Sequence, residues 1–266
     1  MNSFKPEMHL ETALEILQKI ESESVSHVTP IEMGELSKVF SYRKDGQELV
    51  IHFKKSKETL EKTKWISDRY SLQLPIPKVV KVGTIGDIHY SITEKVKGAP
   101  VSTLNADGIR QLIPDLIKRF SMLAQIPCDD SGSFGWISPL GEASFDSWSE
   151  CLASFFEEEQ EGFYHGWPLL FEQSFLERDV FEKFYSIMID LAQYAPKERY
   201  LVHGDFHFGN MLSDGHQITG IVDWEMAMYG DFMFDACRAA PVGSSNQFSR
   251  TAPQSLGRNG PDHSSF

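Results

Sequence analysis

Hydrophobic positions follow two different periods along the chain, and the first part reads mainly as strands. Near the N-terminus, one apolar stripe at helical spacing predicts an amphipathic helix over 8–20, formed by Leu10, Leu14, Leu17 and Ile20. From 38 to 54, and again near 78–83 and 88–93, apolar residues flank an Asp-Gly or Gly-Asp pair, as in antiparallel hairpins. The charged stretch between the hairpins, 56–70, is predicted to be a helix.

Beyond residue 100 the apolar period becomes helical. Three stripes of large apolar residues predict helices over 109–123, 145–156 and 180–191. Short apolar runs at 200–202 and 211–213 then predict strands around a polar loop, and the next Asp-Gly pair turns the chain into one more strand. A small antiparallel β part followed by a mainly helical part predicts an α+β protein with two lobes.

Composition indicates an ordinary folded protein. Of its 266 residues, 41% are hydrophobic and 24% are charged, as in globular domains. No run of 18 or more apolar residues occurs, and the start of the chain lacks the basic lead and apolar block of a signal peptide. The three cysteines are scattered, which fits reduced thiols. We therefore expect a cytoplasmic protein with no membrane partner.

The tail has a different composition. Residues 241–266 are rich in Ser, Gly, Pro and Asn and have almost no apolar period. Such a composition cannot build a packed core, and it predicts disorder.

Charge is distributed unevenly. The net charge of −13 argues against a nucleic-acid partner, which usually requires a basic face. Between 38 and 97 there are 13 basic and 7 acidic residues, whereas between 128 and 200 there are 15 acidic and 4 basic ones. Two differently solvated surfaces are the simpler explanation of charge alone. The alternative is a basic part that serves an anionic ligand and an acidic part that serves a cationic one.

The polar loop in "LVHGDFHFGNML" (201–212) concentrates the candidate chemistry. His203, Asp205 and His207 alternate, and His216 follows closely, so a zinc site of a hydrolase is one interpretation. A plain polar turn is another. A catalytic zinc site needs three converging ligands. The zinc interpretation is the weaker one, because no second His/Asp cluster occurs elsewhere in the chain.

Phosphoryl transfer uses more of the loop. Asp205 and Asn210 are separated by four residues, the spacing of the kinase H-x-D-x-x-x-x-N loop, in which the acid accepts the proton of the attacking hydroxyl and the amide binds magnesium. Magnesium needs a further hard oxygen ligand. Asp223 can supply it, since it ends the apolar run "ITGIV" that follows the loop by one hairpin.

Several stretches resemble one known family. "HGDFHFGNML", "GIVDWEMAMYGDFMFDACR", "LPIPKVVKVG" and "SGSFGW" are similar to the aminoglycoside phosphotransferases, and most similar to the hygromycin B phosphotransferase group. The likeness runs from about Gly34 to Arg238. It implies a bilobal protein-kinase-like fold that uses ATP and Mg²⁺ to phosphorylate a hydroxyl of a small molecule, plausibly an aminoglycoside antibiotic such as hygromycin B, and so a role in antibiotic resistance.

The resemblance also implies a role for individual residues. Asp205 would be the catalytic base, and Asn210 and Asp223 would bind magnesium. The segment 34–42 would cover the nucleotide phosphates with Ser37 at its tip, and 93–98 would be the hinge. The resemblance implies further nucleotide contacts at His52, Lys54, Glu94 and Val96. It implies structural support near the site from His203, Asp231 and Asp235. It implies acceptor contacts at Glu157, Glu158, Glu161, Trp224 and Glu225.

The chain departs from the family pattern at the phosphate-binding cation. His52 stands where the family carries Lys or Arg, and Lys54 lies two residues along on the same strand face. The acid that should pair with this cation falls near Thr63, so that Glu58 or Glu61 would have to serve. These departures could impair activity, and they motivate an alternative, a non-catalytic nucleotide-binding relative.

The expected organisation has four parts. Residues 1–30 form an N-terminal helix and lead-in, 31–98 the nucleotide-binding N-lobe, 99–240 the catalytic C-lobe, and 241–266 the disordered tail. The family continues with further helices where this chain has the tail, so truncation is also expected, and an inactive truncated relative belongs to the same alternative. We expect a monomer that acts on a small cationic molecule bearing a hydroxyl.

Overall fold

The computed structural model describes residues 6–21, 25–32, 36–126, 128, 132–160 and 164–239. The tail predicted at 241–266 lies outside the described residues, as do residues 34 and 35 of the predicted nucleotide loop and Glu161 of the predicted acceptor site.

An antiparallel sheet forms the N-terminal part, and its strands span Val25–Ile31 (β1), Lys38–Lys44 (β2), Gln47–Lys54 (β3), Val79–Ile85 (β4) and Ile88–Glu94 (β5). Their order is β1-β2-β3-β5-β4. Both predicted hairpins are confirmed, since β2 pairs with β3 and β4 with β5. Asp45 and Gly46 both have positive φ, which the tight turn between β2 and β3 requires and which these residue types tolerate.

Strand β1 is an addition that the sequence pattern did not predict. Its residues do not alternate between buried and exposed positions, its pairing with β2 shifts between Ser26 and Thr29, and it contains Pro30. Proline is tolerated in a sheet mainly at an edge, and β1 is an edge strand. The sheet therefore begins before residue 31, within the segment assigned to the lead-in.

Two helices accompany this sheet, Leu10–Glu21 (α1) and Lys57–Tyr70 (α2). Both were predicted, and Ser56 caps α2 by accepting a hydrogen bond from the Thr59 amide. In α1 the predicted Leu17 is buried, but the buried face also includes Ala13 and Ile16, which lie outside the predicted stripe, whereas Leu10 is 40% exposed. The side chains of α1 join one face of β2, β3 and β5 in a single apolar cluster, which leaves the other face free to line a cleft.

The C-terminal part is mainly helical, and it contains the helices Ala106–Leu123 (α3), Trp148–Ser154 (α4), Leu170–Gln173 (α5), Arg178–Ala192 (α6) and Met233–Ala239 (α7). The predicted helices at 109–123 and 180–191 are confirmed. The helix predicted over 145–156 is shorter than expected, because Phe145 pairs with Phe134 as an isolated β-bridge and α4 begins only after it.

Two small sheets frame the polar loop, and their strands are Ala99–Pro100 (β6), Gly135–Trp136 (β7), Tyr200–Val202 (β8), Met211–Ser213 (β9), Ile218–Ile221 (β10) and Met228–Gly230 (β11). One sheet has the order β10-β9-β6 and the other β7-β11-β8. The loop runs from β8 to β9 and so passes from one sheet to the other. The main apolar cluster of this part includes Leu201, Phe206 and Met211, which anchor the loop at both ends and in its middle.

Length and apolarity determine whether a helix can span a membrane. Within the part of the chain that the structure describes, none of the helices combines the length and apolarity needed to cross a bilayer.

Candidate active site

The backbone of the polar loop is held by a buried acid from α7. Asp235 is 0% exposed, and its carboxylate accepts hydrogen bonds from the amides of His203 (2.6 Å) and Gly204 (2.9 Å). Hydrogen bonds from amides to a charged carboxylate are among the stronger ones in proteins. Nearby, Asp231 accepts a hydrogen bond from the Met233 amide at the start of α7. Both acids thus lie where they can fix the loop and the helix behind it.

His203 connects the loop to the strand that leads into Asp223. The Asp205 amide donates to Nδ1 of His203 at 3.2 Å, so the ring proton is on Nε2, which lies 2.9 Å from the Val222 carbonyl oxygen and donates to it. The imidazole is fully buried, with its centroid 4.5 Å from that of Trp224. This geometry suits a structural histidine, since both ring nitrogens are occupied within the protein.

Gly204 is required by a close approach of two backbone segments. Its φ of +82° lies in the left-handed region, and a Cβ there would lie 2.0 Å from the carbonyl oxygen of Met226. The glycine therefore allows the loop to pack directly against the turn that follows Asp223.

Asn210 orients Asp205. Its side-chain amide donates to the backbone oxygen and to Oδ2 of Asp205, both at 3.0 Å. Because the nitrogen of Asn210 faces Asp205, its amide oxygen is available on the other side, where Asn210 lines a cleft. No role in catalysis was predicted for His207, whose Nδ1 accepts a hydrogen bond from the Gly209 amide and whose Nε2 lies 3.3 Å from Oδ2 of Asp205. The alternation of His203, Asp205 and His207 was the available signal.

The zinc interpretation receives no support from this arrangement. Both ring nitrogens of His203 form hydrogen bonds within the protein. In His207, Nδ1 accepts a hydrogen bond from Gly209 and Nε2 lies 3.3 Å from the Asp205 carboxylate. Over the ranges that the structure covers, no group of three or more His, Cys, Asp or Glu side chains is placed to hold a metal ion.

Asp223 occupies a special backbone position beside the loop. Its φ of +67° is unusual for a residue other than glycine, and such positions are typical of functional sites. Its carboxylate faces the cleft, but the protein around it desolvates the charge. This desolvation and the neighbouring Glu225 raise its pKa to about 6, against the opposing effect of Lys54. A bound cation would relieve the repulsion, so the donor set fits a divalent metal.

A cleft of about 320 Å³ lies between the N-terminal sheet and the hairpin of β9 and β10. This volume is within the range of small-molecule sites. Gly220 of β10 allows the hinge to approach, since a Cβ there would lie 2.8 Å from the Val96 side chain. The structure brings all seven of the individually predicted nucleotide and metal residues to the walls of this cleft: Ser37, His52, Lys54, Glu94, Val96, Asn210 and Asp223.

Lys54 rather than His52 provides the positive charge near Asp223. Burial and the nearby Lys54 lower the pKa of His52 to about 4, so this imidazole is neutral at pH 7. Lys54 forms an ion pair with Glu225, and the side chains are only 12% and 15% exposed. The expected partner acids on α2 are elsewhere, since Glu61 pairs with Lys57 at 2.6 Å and Glu58 is near Lys62. The expectation that one of them pairs with Lys54 was therefore wrong.

The residues predicted to contact an acceptor do not form one surface. Glu157 and Glu158 are exposed and are not among the residues that line the cleft. Trp224 is 1% exposed, and its indole nitrogen donates to the Ile221 carbonyl oxygen. Glu225 is bonded to Lys54. In the structure Trp224 supports the loop and Glu225 supports the Lys54 cation. Acceptor contact stays a prediction for all four residues.

The neutral state of His52 predicts a pH dependence of stability. From about pH 6.5 down to about pH 4 the histidine of the unfolded chain gains a proton that the folded chain does not, so the free energy of unfolding falls as the pH falls. The contribution is at most about 3 kcal/mol, and smaller because the side chain lines an open cleft. Denaturant unfolding at pH 7.5 and 4.5 should therefore differ less in His52→Gln than in the unmodified chain.

The matched control is His216→Gln, which removes an exposed histidine. It should leave the difference between the two pH values unchanged. An equal effect of both substitutions would show that His52 is not held neutral by its surroundings.

Comparison with known proteins gives consistent results. A family model described as "Phosphotransferase enzyme family" matches residues 27–264. Among curated proteins, Hygromycin-B 4-O-kinase of Escherichia coli is 24% identical over 233 residues, which cover 87% of this chain and 66% of that protein. The chain thus spans just under two thirds of the length of this relative.

Solved structures show the same fold. A thermostable mutant of aminoglycoside phosphotransferase APH(4)-Ia, in a ternary complex with ADP and hygromycin B, has a TM-score of 0.73 at 22% identity, covering 85% of this chain and 74% of that one. Another structure of APH(4)-Ia has a TM-score of 0.70 at 23% identity, covering 85% and 75%. APH(3'')-Id from Streptomyces rimosus has a TM-score of 0.58 at 13% identity, covering 88% and 83%. These likenesses confirm the predicted bilobal, kinase-like α+β fold.

Proposed function

The chain belongs to the phosphotransferase enzyme family, and we propose that it transfers the γ-phosphate of ATP to a hydroxyl group of a small cationic molecule, with Mg²⁺ as the metal. The observation that carries the proposal is the position of Asn210. Its amide nitrogen is bonded to Asp205 while the same side chain lines the cleft with Asp223. This arrangement supports a base at Asp205, bonded to Asn210, beside two oxygen ligands that line a cleft of nucleotide size.

Each group has a task that its position supports. Asp205 accepts the proton of the acceptor hydroxyl, whose oxygen forms a bond to the γ-phosphorus while the bond to the bridging oxygen of ADP breaks. Asn210 and Asp223 hold the metal, which when bound neutralises charge on the phosphates. Lys54 supplies a further positive charge beside Asp223. Ser37, Glu94 and Val96 all line the cleft. Ser37 belongs to the segment expected to cover the phosphates, and Glu94 and Val96 belong to the expected hinge, where adenine would bind.

The acceptor class is supported by charge and by the relatives. Fifteen acidic residues between 128 and 200 favour a cationic acceptor over an anionic one. A curated relative is named for the phosphorylation of hygromycin B, and a structural neighbour was solved with that compound bound. Aminoglycosides are polycations with many hydroxyl groups, and we therefore propose an aminoglycoside, such as hygromycin B, as the acceptor. An enzyme with this activity would confer antibiotic resistance.

The non-catalytic alternative has three motivations: the neutral His52, the missing acid near Thr63, and the missing C-terminal helices. The ion pair between Lys54 and Glu225 argues against the first two, whereas the third concerns the tail, which lies outside the described residues. What remains is to separate catalysis from simple nucleotide binding.

The test is acceptor-dependent ADP release. The purified chain is assayed with ATP and Mg²⁺, with and without hygromycin B and a panel of other aminoglycosides, and nucleotide binding is followed separately by the shift of the thermal midpoint. We expect release only with an acceptor, and loss of release when EDTA removes the metal. Thermal protection by Mg²⁺ and ATP without release for any acceptor would support the non-catalytic alternative instead, and the absence of both would contradict nucleotide binding.

A further inference from the structure

Lys54 lies on a part of the cleft wall where its long side chain needs a fixed partner. It occupies the end of β3 and lines the cleft together with Val50 and His52 on the same strand face. A lysine side chain has many rotamers, and holding it in one of them costs entropy unless other contacts define its position. The question is therefore which residue keeps the Lys54 ammonium near the metal ligand Asp223.

Helix α2 cannot supply that partner from the expected position. Thr63 stands there, and its hydroxyl donates to the Thr59 carbonyl oxygen of its own helix at 2.9 Å. Glu61, two residues before Thr63, is 41% exposed and forms an ion pair with Lys57. What α2 contributes instead is a cation, Lys62, which is 6% exposed.

Glu225, in the C-terminal part of the chain, forms an ion pair with Lys54. It lies two residues after Asp223, in the short turn Trp224–Met226, and its carboxylate forms the ion pair with Lys54. The two residues are 171 positions apart in sequence, so the pair joins the N-terminal sheet directly to the segment that carries the metal ligand. Both side chains are largely buried, so solvent screens the pair less than a surface pair.

Lys62 fixes the turn on which Glu225 stands. Its ammonium donates to the Glu225 carbonyl oxygen at 2.7 Å and lies 5.6 Å from the centroid of the Trp136 ring. The backbone of Glu225 is thus held from α2, while its side chain holds the cation of β3. Gly204 allows the same turn to pack on the catalytic loop, since a Cβ there would meet Met226.

We propose that Glu225 is the positioning residue for the phosphate-contacting Lys54, in place of an acid on α2, and that Lys62 anchors it. This inference rests on the proposed function, because Lys54 needs a defined position only if it contacts nucleotide phosphates. The ion pair then makes nucleotide affinity depend on a residue of the C-terminal part that is not among the residues lining the cleft.

The test is a double-mutant cycle of Lys54→Met and Glu225→Gln, with equilibrium binding of Mg²⁺ and a non-hydrolysable ATP analogue as the measurement. Each single variant should bind about 10- to 100-fold more weakly, as is typical when an orienting partner is lost. The double variant should bind no more weakly than Lys54→Met alone, because Glu225 acts through Lys54. Glu225→Asp, which keeps the charge, should recover part of the affinity.

The control Glu61→Gln makes the same chemical change in an acid of α2 and should leave binding unchanged. Glu225→Gln binding as tightly as the control, or single effects that multiply in the double variant, would overturn the proposal. Thermal unfolding of every variant distinguishes loss of the fold from loss of the Lys54 position. If Glu225→Gln is unstable, the binding measured for Glu225→Asp decides the test. Failure of the unmodified chain to bind the analogue would instead overturn the proposed function itself, and this inference with it.

Discussion

Replacing Asp205 by asparagine is expected to lower kcat by about 10²- to 10⁴-fold, the usual contribution of a positioned general base. Asparagine has nearly the same shape, and its oxygen can still accept the hydrogen bond from Asn210 that Oδ2 of Asp205 accepts at 3.0 Å. What it loses is the ability to take the proton of the acceptor hydroxyl. The measurement is steady-state turnover at saturating ATP with the best acceptor from the panel.

Binding distinguishes this chemical effect from a structural one. Asp205→Asn should bind Mg²⁺ and ATP nearly as tightly as the unmodified chain, because the proposed metal ligands are Asn210 and Asp223. The matched control is Asp87→Asn, the same substitution in the exposed turn between β4 and β5, which should keep full activity. Turnover of Asp205→Asn within a factor of ten of the unmodified chain would contradict the role of Asp205 as the base.

The second large effect is expected from Gly204→Ala, which should lower the free energy of unfolding by about 3–5 kcal/mol, because overpacking and backbone strain are among the causes of losses this large. The added Cβ would lie 2.0 Å from the Met226 carbonyl oxygen, so the loop and the turn after Asp223 would have to separate. Chemical denaturation measures the loss, and nucleotide binding measured on the folded fraction should weaken with it.

A second glycine allows the two causes of that loss to be separated. Gly46 has a φ of +81°, against +82° for Gly204, but a Cβ at Gly46 would meet no atom within 4 Å. Gly46→Ala therefore reports the cost of an alanine in the left-handed region alone, about 1–2 kcal/mol. Equal losses in the two variants would show that the contact between Gly204 and Met226 does not constrain the loop.

The sequence predicted the fold to the extent that local patterns determine it. Alternating apolar residues with an Asp-Gly turn were enough for β2 and β3, and the charged segment between the hairpins was enough for α2. Strand β1 was missed because an edge strand with a proline and an irregular pairing carries no alternation. The short α4 was overestimated because Phe145, which completes the helical stripe, pairs with Phe134 across a bridge.

The site could be predicted only where spacing carries the chemistry. The four-residue gap between Asp205 and Asn210 indicated the loop, and Asp223 followed from the order of strands. The partner of Lys54 could not be found in this way, because Glu225 is 171 positions distant and nothing local distinguishes it from other glutamates. The orientation of His207 was equally hidden, since it depends on the amide of Gly209 folding back onto the ring.

The bonds from Asp235 to the catalytic loop have a consequence for the order of events during protein synthesis. The amides of His203 and Gly204 need an acceptor that is translated about 30 residues after them. While the ribosome has yet to add Asp235, a nascent chain has the N-terminal sheet and the whole loop sequence but leaves these two amides unpaired. The backbone geometry around Asp205 is therefore completed only after α7 has been synthesised, later than the strands of the N-terminal sheet.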